Sequence, residues 1–154
     1  MIDIRRPTVN DVDSIFKLIN KMADKGLMLH RSKYKIVTTL GNFLVAEDLE
    51  KGKIVGCGAF SLLWTDLGEI MSLAIDNEYQ NMKIGSRLVK ALLEYGKKIK
   101  VPEIITLTYK PEFFKKLGFI MVNKDRFPRK LWRECLECPK LEQCDETILH
   151  ILLD

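Results

Sequence analysis

The segment Glu69-Ile-Met-Ser-Leu-Ala-Ile-Asp-Asn-Glu-Tyr-Gln-Asn-Met-Lys-Ile-Gly-Ser-Arg-Leu-Val89 carries the clearest chemistry in this chain. An apolar run leads into a short polar turn, then into an amphipathic helix opening on Ile84-Gly85-Ser86. A strand ending in a glycine-bearing turn at a helix start presents backbone N–H groups that have no partner within the helix. The positive end of the helix dipole lies among them, so the turn suits a phosphate or pyrophosphate.

A second group of reactive side chains lies near the C-terminus. Cys135, Cys138 and Cys144 cluster there, and Cys-x2-Cys is a zinc-like spacing. A structural zinc needs four ligands, and only one Cys-x-x-Cys is present; His30, His150 or Asp145 would have to complete the set. Packed free thiols or a facultative disulfide are favoured over zinc. Cys57, within an apolar strand, reads as a small buried hydrophobe.

The elements around these residues follow from periodicity. Residues 2–5 form a first strand, and Asn10 or Asp11 caps a helix over 11–24 that Gly26 ends. A short helix is expected near 34–40. Strands follow at 43–47 and 54–63, joined by a hairpin turn at Glu50-Lys-Gly-Lys53, and then at 69–75. The apolar stripe Ile84, Leu88, Val89, Leu92, Leu93 predicts a helix over 84–99 with that face in the core. A strand at 104–108, a short helix from Pro111 to Leu117 stopped by Gly118, and strands at 119–122 and 147–153 complete the order. Residues 127–146, rich in cysteine and bearing two prolines, read as an irregular arm. Three antiparallel strands followed by a helical crossover predict an α+β fold: a mixed, mostly antiparallel sheet with helices on both faces.

The bulk properties set limits. At 154 residues the chain suits one domain, 1–154, with a single core. A hydrophobic content of 47% with 30% charged residues belongs to a globular protein. No apolar run approaches the roughly 20 residues that cross a bilayer. Met1-Ile-Asp-Ile-Arg5 has no signal-peptide stretch, so a cytoplasmic location is the default. A net charge of +4 fits an anionic cofactor but lacks the basic, aromatic-interleaved stripe of a nucleic-acid binder. Neither a nucleic acid nor a membrane is an expected partner, and a homodimer is left open.

The order of elements and the segment 69–89 resemble the GCN5-related N-acetyltransferases (GNAT), which use acetyl-coenzyme A. Their signature turn, [Gln/Arg]-x-x-Gly-x-[Gly/Ala], reads here Gln80-Asn81-Met82-Lys83-Ile84-Gly85. Lys83 stands where the first glycine is usual; glycine takes a positive φ more easily, while lysine adds a cation. Phe113-Phe114-Lys-Lys-Leu-Gly118-Phe119 is similar to the family's aromatic-x-x-x-Gly-Phe element. Within the family the chain looks closest to small amino-acid N-acetyltransferases similar to N-acetylglutamate synthase. Arg31-Ser32, Ser72-Leu-Ala-Ile75, and Pro128-Arg-Lys130-Leu-Trp132-Arg-Glu-Cys135-Leu-Glu-Cys138-Pro-Lys140 with Cys144-Asp-Glu146 carry that likeness.

The resemblance implies acetyl-CoA as cosubstrate and direct attack by a neutral amine in a ternary complex, without an acyl-enzyme. It implies a coenzyme site from Leu73, Ala74 and Ile75, through the turn Gln80, Asn81, Met82, Lys83, Ile84, Gly85 and Ser86, to Phe114. Glu69 becomes the expected general base. The family's tyrosine acid is replaced by Phe114, which leaves Tyr109 or water to protonate the thiolate. Arg31 is the expected carboxylate anchor, with Ser32, Ser72 and Lys130 beside it and Arg5 as a weaker second anchor. Glutamate or a near relative is the expected substrate. The alternatives are another amine (a protein N-terminus, polyamine or antibiotic) and a non-catalytic acyl-CoA-binding module.

Overall fold

Strand β1 (Ile2–Arg5) pairs antiparallel with β2 (Phe43–Asp48), β2 with β3 (Lys53–Trp64), and β3 with β4 (Leu67–Ile75). The computed structural model describes residues 1–126 and 147–154; the expected arm, with Lys130, Trp132, Cys135, Cys138 and Cys144, lies outside them. Helix α3 (Ile84–Lys98) carries the chain from β4 to the parallel strand β5 (Glu103–Thr108). Strand β7 (Thr147–Leu152) then inserts antiparallel between β5 and the two-residue β6 (Ile120–Met121). Among the described residues this makes one seven-stranded sheet of order β1-β2-β3-β4-β5-β7-β6. The predicted mixed, mostly antiparallel α+β sheet is observed.

The two faces have separate cores. Helix α1 (Val12–Asp24) buries Val12, Ile15, Leu18, Ile19 and Ala23, and with α2 (Lys33–Thr38) covers Phe43, Val45, Cys57, Ala59 and Ala74. Helix α3 buries Ile84, Leu88, Val89, Leu92 and Leu93 on the other face, over Ala46, Val55, Phe60, Ile70 and Ile104. Each such leucine or isoleucine contributes on the order of 1.5–3 kcal/mol on burial. Helix α4 (Pro111–Lys115) joins this second core through Phe114, whose ring meets Phe113 and Phe119 edge-on.

Helix ends differ from expectation at several places. Thr8, not Asn10 or Asp11, provides the side-chain cap, forming a capping box with Asp11 around a short 3-10 turn, Val9–Asp11, that runs into α1. The far end of α1 is a Schellman motif at Gly26 (φ 73°): Gly26 N–H bonds Ala23 O and Leu27 N–H bonds Met22 O. The predicted short helix lies at Lys33–Thr38 rather than 34–40, and the strand expected at 119–122 pairs only over Ile120–Met121. No helix among the described residues is long and apolar enough to cross a membrane.

Candidate active site

Strand β4 changes phase halfway along. Cys57 pairs with Ala74 but Ala59 pairs with Met71, so β4 spends one residue more than β3 over this step. The extra residue is Ser72, at φ 56° in mid-strand. Such a bulge shifts the alternation of side chains. Ile70 faces the α3 core, and beyond the bulge Leu73 and Ile75 face it too, while Met71 and Ala74 pack toward α1.

Next to the bulge the sheet opens. The parallel pairing of β4 with β5 extends only over Gly68–Ile104 and Glu69–Ile105. Past it, the buried Thr106 hydroxyl donates to Ile70 O at 2.9 Å, satisfying a carbonyl that a continued ladder would have used. A cleft of about 490 Å³ occupies the gap. Ser72, Leu73 and Ile75 line one side, Thr106–Lys110 the other, and Met22, Leu27, Met28 and Met71 lie at the α1 end.

At the other end lies the turn before α3. Gln80, Asn81, Lys83, Ile84, Gly85 and Ser86 all line the cleft. Asn81 and Lys83 are left-handed, with φ of 65° and 62°. Lysine therefore does take the glycine-like backbone here, against the expectation from its side chain; the turn's fixed ends impose it. Lys83 occupies the N-cap of α3 without a side-chain cap bond, and the first turn contains no acid. A fifteen-residue helix thus presents uncapped first-turn amides toward the cleft, with Lys83, Lys110 and Lys116 among its lining residues. Gln80 Nε2 donates to Ile75 O at 3.0 Å, folding the turn back on the end of β4. The requirement at Gly85 is close packing: a Cβ there would stand 3.2 Å from Phe113 Cζ.

Of the other expected site residues, some line this cleft and others, Glu69, Arg31 and Ser32, are not among its lining residues. Tyr109 and Phe114 line it; Phe114 is also a core residue, only 4% exposed. Ala74 and Met82 do not line it: Ala74 is buried under α1 and Met82 is exposed. Glu69 is half-buried on the same face of β4 as Met71, flanked in register by Ser61 and Ile105. Tyr109, one residue past the end of β5, is four positions from Ile105, so at an extended spacing it lies roughly 13 Å along the chain from the level of Glu69.

Arg31 reaches the wall from outside. Its Nε donates to Ser72 Oγ at 2.8 Å. Asn20 on α1 holds its backbone from both sides: Arg31 N–H donates to Asn20 Oδ1 at 3.0 Å, and Asn20 Nδ2 donates to Arg31 O at 2.9 Å. Nothing in the sequence pattern singled out Asn20; its place on the polar edge of α1 is the only hint. Ser32 serves as the N-cap of α2, accepting from Lys35 N–H at 3.1 Å, and is exposed. The expected second anchor, Arg5, is corrected: its guanidinium is committed to Asp11 at 2.8 Å and Glu47 at 2.9 Å. The bond with Arg5 holds the Asp11 carboxyl below its usual range, against burial.

Cys57 is fully buried beneath the bulge, its thiol donating to Ser72 O at 3.5 Å, and burial pushes its pKa up to about 12. It is the small buried hydrophobe expected. His30 bonds Asp24 at 2.6 Å and His150 bonds Glu103 at 2.6 Å. Among the described residues no cluster of histidine, cysteine or carboxylate side chains could hold a metal.

A splayed pair of parallel strands, with a bulge on one side and a bare helix start at its end, is the layout the sequence resemblance implied. The profile of the acetyltransferase (GNAT) family matches residues 14–119; the chain belongs to that family and is an N-acetyltransferase. An uncharacterized N-acetyltransferase of Chlorobaculum tepidum is 36% identical over 95% of this chain and 93% of its own length. An amino-acid acetyltransferase of Mycobacterium tuberculosis is 35% identical over 78% of this chain and 69% of its own. Among solved structures, a Mycobacterium tuberculosis protein in complex with CoA and NLQ superposes with a TM-score of 0.86 at 26% identity, over 99% of each chain. The N-acetylglutamate synthase of Neisseria gonorrhoeae, complexed with coenzyme A and N-acetyl-glutamate, shares the fold at a TM-score of 0.88 and 24% identity; this chain spans 35% of it.

Proposed function

We propose that this N-acetyltransferase acetylates the α-amino group of a free amino acid, glutamate or a near relative, using acetyl-CoA. The observation that carries the reading is Arg31, whose guanidinium is bonded through Nε to Ser72 on the cleft wall. A guanidinium fixed beside the acyl site suits an α-carboxylate, which every free amino acid carries and a polyamine lacks. The 35% identical relative named amino-acid acetyltransferase adds support.

The roles then follow. Backbone groups of Leu73 and Ile75 pair with the pantetheine arm along the unpaired side of β4. The turn from Gln80 to Ser86 takes the pyrophosphate on its amides, and Lys83 adds positive charge. The substrate ammonium must lose a proton before it attacks, and Glu69, directly or through water, receives it. The amine nitrogen then attacks the thioester carbonyl and gives up its second proton to water, the C–S bond breaks, and the thiolate takes a proton from Tyr109 or water. Phe114 packs beneath the coenzyme. Ser72 positions Arg31, and Lys130 is assigned to the substrate mouth by resemblance alone.

The test is thiol release from acetyl-CoA over a panel of free amino acids, with polyamines and peptides as controls. Turnover with a free amino acid, lost in Glu69→Gln while coenzyme A binding is retained, is expected. No transfer to any free amino acid, with turnover on a polyamine or peptide, overturns the substrate assignment.

A further inference from the structure

Tyr79 is the last residue before the signature turn and lines the cleft, yet it is buried. It donates to Asp48 Oδ2 at 2.6 Å, across 31 positions of sequence. Asp48 lies at the end of β2, and its other oxygen accepts from Glu50 N–H at 3.0 Å and Lys51 N–H at 3.4 Å, so that carboxylate also shapes the β2–β3 hairpin. Asp48 and Tyr79 are only 7% and 6% exposed. Asp76, at the start of the same turn, is tied to the same hairpin: its N–H donates to Val55 O at 2.8 Å and its carboxylate meets Lys53 Nζ at 3.2 Å. The Lys53 ammonium also stands 6.0 Å from the Tyr79 ring centroid.

From this geometry we infer that the Asp48–Tyr79 hydrogen bond is a positioning device for coenzyme binding, anchoring the pyrophosphate turn to the β2–β3 hairpin. The inference rests on the coenzyme reading of the cleft and adds residues that its signature does not contain. The physical need is specific to this chain. Asn81 and Lys83 both hold left-handed backbones without being glycine. Such conformations persist only where surrounding contacts over-determine them. Beyond Tyr79 the turn residues Gln80, Asn81, Met82 and Lys83 are exposed, so the Tyr79 hydroxyl is the last buried attachment before the strained residues, with only the exposed Gln80–Ile75 bond after it. Asp48 carries charge at neutral pH, which strengthens the bond. Releasing Tyr79 frees the turn to relax, and the first-turn amides of α3 lose their preset aim at the phosphates.

Tyr79→Phe removes the hydroxyl and keeps the ring. Calorimetric titration with coenzyme A and steady-state kinetics are the readouts. The Kd for coenzyme A and the KM for acetyl-CoA rise about tenfold, while kcat at saturating acetyl-CoA and the KM of the amine substrate stay within about twofold. Asp48→Asn, which keeps an acceptor oxygen, retains most of the affinity; Asp48→Ala loses at least as much as Tyr79→Phe, since it also frees the Glu50 and Lys51 amides. The double variant Asp48→Ala/Tyr79→Phe loses no more coenzyme affinity than Asp48→Ala alone, because each change already removes the bond between the two side chains. Unchanged coenzyme affinity in Tyr79→Phe overturns the inference, as do additive losses in the double variant. A native chain that fails to bind coenzyme A overturns the coenzyme reading instead, which the first titration detects separately.

Discussion

Arg31 Nε bonds Ser72 Oγ at 2.8 Å, joining residues 41 positions apart and coupling a loop to the bulge of β4. The serine that phases the strand also sets the plane of the guanidinium, and Asn20 fixes the backbone behind it. A lysine at this position keeps the charge but cannot donate from a planar fork. In Arg31→Lys the KM for the amino acid is expected to rise about ten- to a hundredfold, the range of a lost charge-assisted bond worth roughly 1.5–3 kcal/mol. The KM for acetyl-CoA stays unchanged. Equal KM values for the amino acid in both proteins would remove Arg31 from the binding site.

Lys83→Gly separates strain from charge. A left-handed lysine costs on the order of 1–2 kcal/mol that glycine does not incur, although glycine gives part of this back as chain entropy. The apo variant is expected to melt at the same temperature or slightly higher. Its coenzyme A affinity should fall, and the salt dependence of that affinity should flatten, since an exposed cation has gone. Binding titrations between low and high salt check this; an unaltered salt slope shows that Lys83 does not meet the phosphates.

Gly85→Val tests the close approach of α3 to α4. A Cβ alone would stand 3.2 Å from Phe113 Cζ, and valine's branches project further. The clash is expected to push Phe113 outward, cost about 1–3 kcal/mol of stability as overpacking does, and weaken coenzyme A binding at least tenfold. Phe113→Ala in the same background should recover part of the stability. A Gly85→Val protein with native melting temperature and affinity would show that this contact is not tight.

Acid sensitivity should trace to Asp11. Its carboxyl is held below the usual range by the bond with Arg5, reinforced by the Thr8 amide and opposed by burial. In the unfolded chain it titrates near pH 3.9. Its contribution is therefore complete above about pH 4 and is lost as pH falls through the lower folded value. Asp48, held down first by the Tyr79 hydroxyl, shifts in the same direction. Thermal melts should be flat near neutrality and fall below about pH 4. Asp11→Asn should melt lower at pH 7 with a shallower acid limb; an acid limb as steep as the native one would assign the sensitivity elsewhere.

Cys57 should be inert. Burial pushes its thiol up to about 12, so little thiolate exists at pH 8. Mass mapping after alkylation of the native protein at pH 8 is expected to find Cys57 unmodified until denaturant is added. Rapid native-state labelling would contradict its placement beneath the bulge.

Much of this protein was legible in its residues. Spacing at 3.6 marked α1 and α3, glycine marked the helix stop at Gly26, and alternation marked the strands, because these signals reflect local burial against one face. The signature Gln80–Gly85 located the turn, and the family resemblance led to Arg31 and Glu69. The sequence left the left-handed backbone of Lys83 unseen and offered Arg5 as a weaker substrate anchor, although Asp11 and Glu47 occupy it. The sequence by itself determined the order of elements and the class of chemistry, since periodicity and turn chemistry act within a few residues. Only the tertiary structure decided that Ser72 bulges, that β4 and β5 part, that Ser72 meets Arg31 and that Asp48 anchors Tyr79. Those contacts join residues tens of positions apart, and their geometry exists only once the sheet has brought the partners together.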